Sequence, residues 1–152
     1  MRFKSLVRLT AALSIALVTV PVAHAQEADS ILGTWSTETG NLIIDVYDAG
    51  DSYAARFVYG DLIVESDGRT LKNDQKNPDL SLRSRSLAEV NFLQDLAWDA
   101  SERRWEGGTV YQAATGQSAS ARATMDANKL HLRVYRGVPL AGRTLVLVRQ
   151  EN

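Results

Sequence analysis

The sequence predicts an all-β domain: one antiparallel up-and-down barrel of about eight strands. Three observations lead there. Gly33, Gly40, Gly50, Gly60 and Gly68 fall 7, 10, 10 and 8 residues apart, with runs of β-branched and aromatic residues between them. That spacing of turn signals marks successive hairpins. The runs also alternate, apolar then polar, with the period of two that a half-buried strand requires. No long helical pattern interrupts them.

Taken in order, the chain opens with MRFKSLVRLTAALSIALVTVPVAHAQ. Arg2, Lys4 and Arg8 give a positive start, Leu9 to Val20 is largely apolar, and Ala23-His24-Ala25 is a small-x-small cleavage site. This is the pattern of a secretory signal peptide over residues 1–25, and the apolar stretch falls short of the ~20 residues of a spanning helix. The remaining domain, 26–152, lacks the processed cysteine of a lipoprotein. A soluble periplasmic product without stable membrane insertion is expected.

Gly33-Thr34-Trp35 opens the first strand. In Leu42 to Tyr47, positions 42, 44 and 46 share an apolar face. Residues 67–85, DGRTLKNDQKNPDLSLRSR, form one long polar loop carrying Arg69, Lys72, Lys76, Arg83 and Arg85. Asn77-Pro78-Asp79 sets a cap, a first-turn proline and an acid in the order that starts a short helical turn. The loop reads either as a solvated excursion or as a binding loop.

The second half continues in strands: Arg103 to Tyr111, broken by the bulge signal Gly107-Gly108, then Ser118 to Met125, Lys129 to Arg136 and Arg143 to Arg149. If the glycine pair leaves the register alone, Trp105, Thr109 and Tyr111 share a face. The next strand sets Ala119, Ala121, Ala123 and Met125 on one face, small residues for a core. They leave a cavity for an apolar ligand, or large neighbours such as Trp105 and Tyr111 fill the space.

Composition narrows the function. The chain has 152 residues, 45% hydrophobic and 23% charged, enough for one globular domain. Without Arg2, Lys4 and Arg8, the 17 basic residues become 14 against 18 acidic ones, which argues against nucleic acid. With no cysteine there is no thiol chemistry, disulfide or cysteine metal site. His131 is the one histidine beyond the leader, on the polar face of its strand, and no nucleophile or ligand spacing joins it. No catalytic residue, metal or cofactor is expected.

Arg83 and Arg85 are candidates for binding a carboxylate or phosphate at a barrel mouth, unless nearby acids such as Asp79 or Glu89 pair with them. Gly33, Trp35 and Arg149 are candidates for closing the barrel, the arginine of the last strand lying over the tryptophan of the first.

ILGTW at 31–35, DG at 67–68, NPDLSLRSR at 77–85, RWEGGTVY at 104–111 and GRT at 142–144 resemble DUF2147, a family of exported bacterial proteins of unknown function. The resemblance spans about residues 31–149 and implies a lipocalin-like barrel in the periplasm, with no catalytic residues to carry over. Many relatives have cysteines where Ala49 and Ala54 stand here, an aromatic at Ala119 and a tryptophan at Leu147.

The leading expectation is a periplasmic barrel that binds a small amphipathic or lipid-like ligand through Trp105, Tyr111, Ala119, Ala121 and Ala123, its polar end near Arg83 and Arg85. The alternative is a packed envelope-protein interaction module with no internal ligand, marked by an exposed apolar patch or a bare strand edge.

Overall fold

The computed structural model describes residues 26–151, so the signal-peptide reading of 1–25 lies outside the described residues. Eight strands follow in order: β1 (Gly33–Ser36), β2 (Leu42–Asp48), β3 (Tyr53–Gly60), β4 (Asn91–Asp99), β5 (Arg104–Gln112), β6 (Gln117–Asp126), β7 (Lys129–Tyr135) and β8 (Arg143–Arg149). Each pairs antiparallel with the next, and β8 returns to β1 to close the barrel. Closure pairs the two end strands only over Trp35↔Arg149 and Ser36↔Val148, so the edges an open sheet would carry are joined at one end of the barrel.

Alternation sets the core. Ile44 and Val46 of β2, Leu130 and Leu132 of β7 and Leu147 of β8 point inward and are buried. Trp105 faces Ala123 directly across the β5–β6 pair, so the small side chain makes room for the large one. Both are about 1% exposed, and the interior there is filled.

The Gly107-Gly108 pair does shift the register. A bulge falls between Trp105 and Gly108, with Gly107 at φ 74°. The extra residue moves Gly108 and Val110 to the inside, and Thr109 and Tyr111 off the face they would have shared with Trp105. A side chain on Gly108 would come within 2.7 Å of Leu96 Cδ1, which is why the bulge needs glycine on its inner side.

The β3–β4 connection is an ordered lid. Bridges Val64↔Leu71 and Asn73↔Ser86 fold it back on itself. Val64, Leu71, Leu87 and Val90 form its small core against Phe57, Tyr59 and Tyr111. Its helical turn spans Leu80–Leu82 and starts two residues later than the Asn-Pro-Asp pattern suggested. Asp79 is the cap, accepting from the Ser81 amide at 2.9 Å, while the buried Asn77 accepts from the Asp79 amide through Oδ1 at 2.9 Å and donates through Nδ2 to Asp74.

One end of the barrel is sealed by the segment before β1. Ile31 is fully buried, and its carbonyl accepts from Trp35 Nε1 at 2.8 Å. Trp105 Nε1 donates to Ala28 O at 3.1 Å. Arg149 lies over the Trp35 ring, 4.2 Å from its centroid, and donates to the carbonyls of Leu32 at 2.6 Å and Ser30 at 2.5 Å. Gly33, at φ 115°, holds the space beside it: a Cβ there would meet Arg149 Nη1 at 3.0 Å. Replacing Arg149 by alanine leaves two carbonyls and a ring face without their cation. The expected cost is about 2 kcal/mol, read as a lower urea midpoint at unchanged slope. A loss under about 0.5 kcal/mol would mean that the seal holds without Arg149.

Candidate ligand-binding site

Opposite the seal the barrel opens into an apolar chamber of about 540 Å³. Phe57 of β3 and Phe92 of β4 stack at 4.2 Å on one side of it. Leu132, Val134 and Leu145 bring β7 and β8 to the other side, and Ile63 of the lid completes the rim. Polar groups stand at its edge: Thr37 and Asn41 of the β1–β2 turn, Asp61 and Gln112. An apolar body with a few polar groups at the opening is the usual make-up of a small-molecule site.

The chamber also has a side opening, because β1 is only four residues long. Its register with β8 covers Trp35↔Arg149 and Ser36↔Val148 and stops there. From Leu147 back to Arg143, β8 has no β1 partner. Thr37, Asn41 and Leu145 line both the chamber and a polar groove on the outer surface, so the two spaces meet at this gap.

The lid is held by one carboxylate. The Asp74 side chain has no solvent exposure and accepts from Tyr111 Oη at 2.5 Å, Asn77 Nδ2 at 2.7 Å and Arg85 at 3.1 Å. Burial pushes its carboxyl up. The hydrogen bonds from Tyr111, Asn77 and Arg85, with the arginine charge, outweigh this and hold it below its ordinary value. Burial, then the bond to Asp74, pushes the Tyr111 hydroxyl up to about 12. Gly116 locks the lid from above: any side chain there would collide with the Lys76 carbonyl.

Of the residues singled out from sequence for ligand binding, Tyr111 lines the chamber and also ties the lid to β5. Trp105, Ala121 and Ala123 lie in the filled half. Ala119 borders a separate shallow depression with Tyr135 and Arg143. Arg85 is engaged with Asp74, neither of the acids proposed for it, and Arg83 Nε donates to Asn77 O at 2.8 Å. Neither arginine lines the chamber. Sequence reading missed Asp74, one acid among many in a polar stretch, and missed Phe57 and Phe92, which alternation alone marks only as core.

A closed eight-stranded antiparallel barrel, sealed at one end and open at the other on an apolar chamber, is a lipocalin-like barrel. The chain belongs to the family DUF2147, "Uncharacterized protein conserved in bacteria", whose model matches residues 33–149. It is similar in fold to a solved structure described as "Protein HP1028 from the human pathogen Helicobacter pylori belongs to the lipocalin family". The TM-score is 0.67 at 24% identity, covering 80% of this chain and 84% of that one. No curated protein sequence matches the chain significantly.

The lid bond requires an ionised Asp74 and a protonated Tyr111, and that sets its pH window. The Asp74 carboxyl is lowered from 3.8 on folding, so its contribution is present above that pH and lost as pH falls through the folded value. Tyr111 is raised from 10.0 to about 12, so its contribution is present below pH 10 and lost toward 12. Asp74→Asn is expected to cost about 3 kcal/mol at neutral pH, because it leaves Arg85 without its buried partner. Urea midpoints across pH check this: the gap between wild type and Asp74→Asn narrows in acid, and that for Tyr111→Phe narrows above pH 10. A gap of constant size across either range would contradict the charged hydrogen bond.

Proposed function

We propose that the protein is exported to the periplasm and binds a small amphipathic molecule without transforming it. The apolar body lies in the mouth chamber and the polar end sits at the rim beside Thr37 and Asn41. The observation that carries this reading is the chamber itself, whose volume falls within the roughly 300–1,000 Å³ of small-molecule sites. Its charge supports a binding role further: Asp61 is the one charged side chain in its lining among the described residues. Among those residues no group of three or more His, Asp or Glu side chains is placed to hold a metal ion. The basic start and small-x-small site before Gln26 support export.

Native mass spectrometry of the chain purified from periplasm tests the reading. The expected result is an extra mass that is lost on denaturation. Leu145→Trp should fill the chamber, weaken binding of a fluorescent apolar probe by about tenfold and leave the unfolding free energy within about 1 kcal/mol of wild type. Probe affinity unchanged by Leu145→Trp would remove the chamber from consideration.

A second reading, a surface that docks an envelope protein, has its own support. Val138 and Leu140 are 61% and 90% exposed on the β7–β8 loop. Arg133 holds that loop rigid through Pro139 O at 2.6 Å and Leu140 O at 3.0 Å, so the two apolar side chains are displayed without further ordering cost. Val138→Ser with Leu140→Ser should abolish crosslinking to a partner in cells while probe binding persists. Crosslinks that survive the double substitution would exclude this loop.

A further inference from the structure

Away from the chamber, the outer wall of β5–β8 carries a concavity of about 170 Å³ lined by Arg104, Arg122, His131, Arg133 and Thr144. Register brings these residues together. Arg122 stands directly opposite Arg133 across β6–β7, and Arg133 opposite Thr144 across β7–β8. Like charges in that relation repel unless an anion lies between or beside them.

The carboxylates nearby do not balance the cluster. Arg104 binds Glu106 and has Glu102 at 3.3 Å, so both acids are drawn to it. Arg122 reaches Glu106 only at 4.0 Å. Arg133 spends one hydrogen of each of three nitrogens on neutral acceptors: the Pro139 and Leu140 carbonyls and the Thr144 hydroxyl. Of its five N–H groups, two remain. Its charge has no carboxylate partner within salt-bridge range among the described residues. His131 adds a buried Nε2 with no hydrogen-bond partner, a group that native structures leave unmatched only rarely.

We propose that this concavity binds a single tetrahedral oxyanion of the phosphate class, held by Arg122 and the two spare N–H groups of Arg133, with His131 beside it in the lining. Paired guanidinium groups suit such an anion because each offers two parallel donors. The site is separate from the mouth chamber, and its occupancy does not depend on the chamber being a ligand site. A free phosphate or the phosphomonoester headgroup of a lipid would satisfy the same donors.

Titration of the mature chain with inorganic phosphate, at constant ionic strength in chloride, tests it through backbone amide shifts. Saturable shifts are expected at Arg122, His131 and Thr144, with the amides around Phe57 and Phe92 unmoved. Arg122→Gln should weaken binding about tenfold or more, since it deletes one charge-assisted contact. Glu106→Gln removes the competing carboxylate and should tighten it, a gain that damage to the fold would not produce. Vesicles of phosphatidic acid in phosphatidylcholine distinguish the sources. Sedimentation with them that Arg122→Gln abolishes assigns a lipid headgroup; phosphate shifts without sedimentation assign the free ion. Non-saturable shifts, or sulfate, phosphate and chloride acting alike, would overturn the proposal, as would Glu106→Gln weakening the interaction.

Discussion

The seam between the first and last strands is the constraint on which this barrel depends. Seven of the eight strand junctions are made by consecutive segments, but the closing one must join chain ends, and β1 offers it two residue pairs. Backbone bonding of that length is marginal for holding two strands. Side chains supply the rest. Arg149 spans the seam, covering Trp35 from the β8 side while binding the carbonyls that lead into β1. Around it, Tyr53 donates to Asp29 at 2.7 Å, and Arg103 pairs with Glu27. The segment before β1 is therefore tied to three different hairpins. A barrel closed in this way is strongest at the end where those ties converge.

The same shortness of β1 explains the other end. Where the strand runs out, the wall has a gap, and the interior beyond it cannot be completed by main-chain pairing. The lid takes over on the opposite side, leaning its own core on Phe57, Tyr59 and Tyr111. A polar excursion of this kind folds because one buried carboxylate gathers three donors from separate places: Asn77 and Arg85 from the lid and Tyr111 from β5. A buried charge is costly unless all of its acceptor sites are used, so this arrangement is specific as well as stabilising. It fixes where the lid sits over the mouth.

How much of this the sequence shows depends on the range of the interaction. Strand alternation is local, and β8 spans Arg143–Arg149 as the pattern implies. The glycine pair in β5 announced a bulge, but its consequence needed coordinates. One extra residue moved Tyr111 off the Trp105 face, and residue order alone cannot say whether a bulge forms. Asp74 and Tyr111 are 37 residues apart and nothing near either marks them as partners. Arg83 and Arg85 showed charge without direction, since composition does not reveal that Asn77 and Asp74 lie within reach. The chamber was the least legible feature, being made by a strand that stops early.

That last point bears on why the alanine stripe of β6 does not make the cavity. Small side chains create space only if nothing larger crosses into it, and across the β5–β6 pair Trp105 meets Ala123. Close packing turns that contrast in size into a filled layer, since an empty volume of an indole's size would cost several kcal/mol. At the mouth no such complement exists. Phe57 and Phe92 stack on each other instead of reaching across, and Leu145 faces a turn where a strand would otherwise continue. The interior volume of this barrel is thus set by where its wall ends, and a substitution that widens the alanine layer would weaken the fold before it enlarged the chamber.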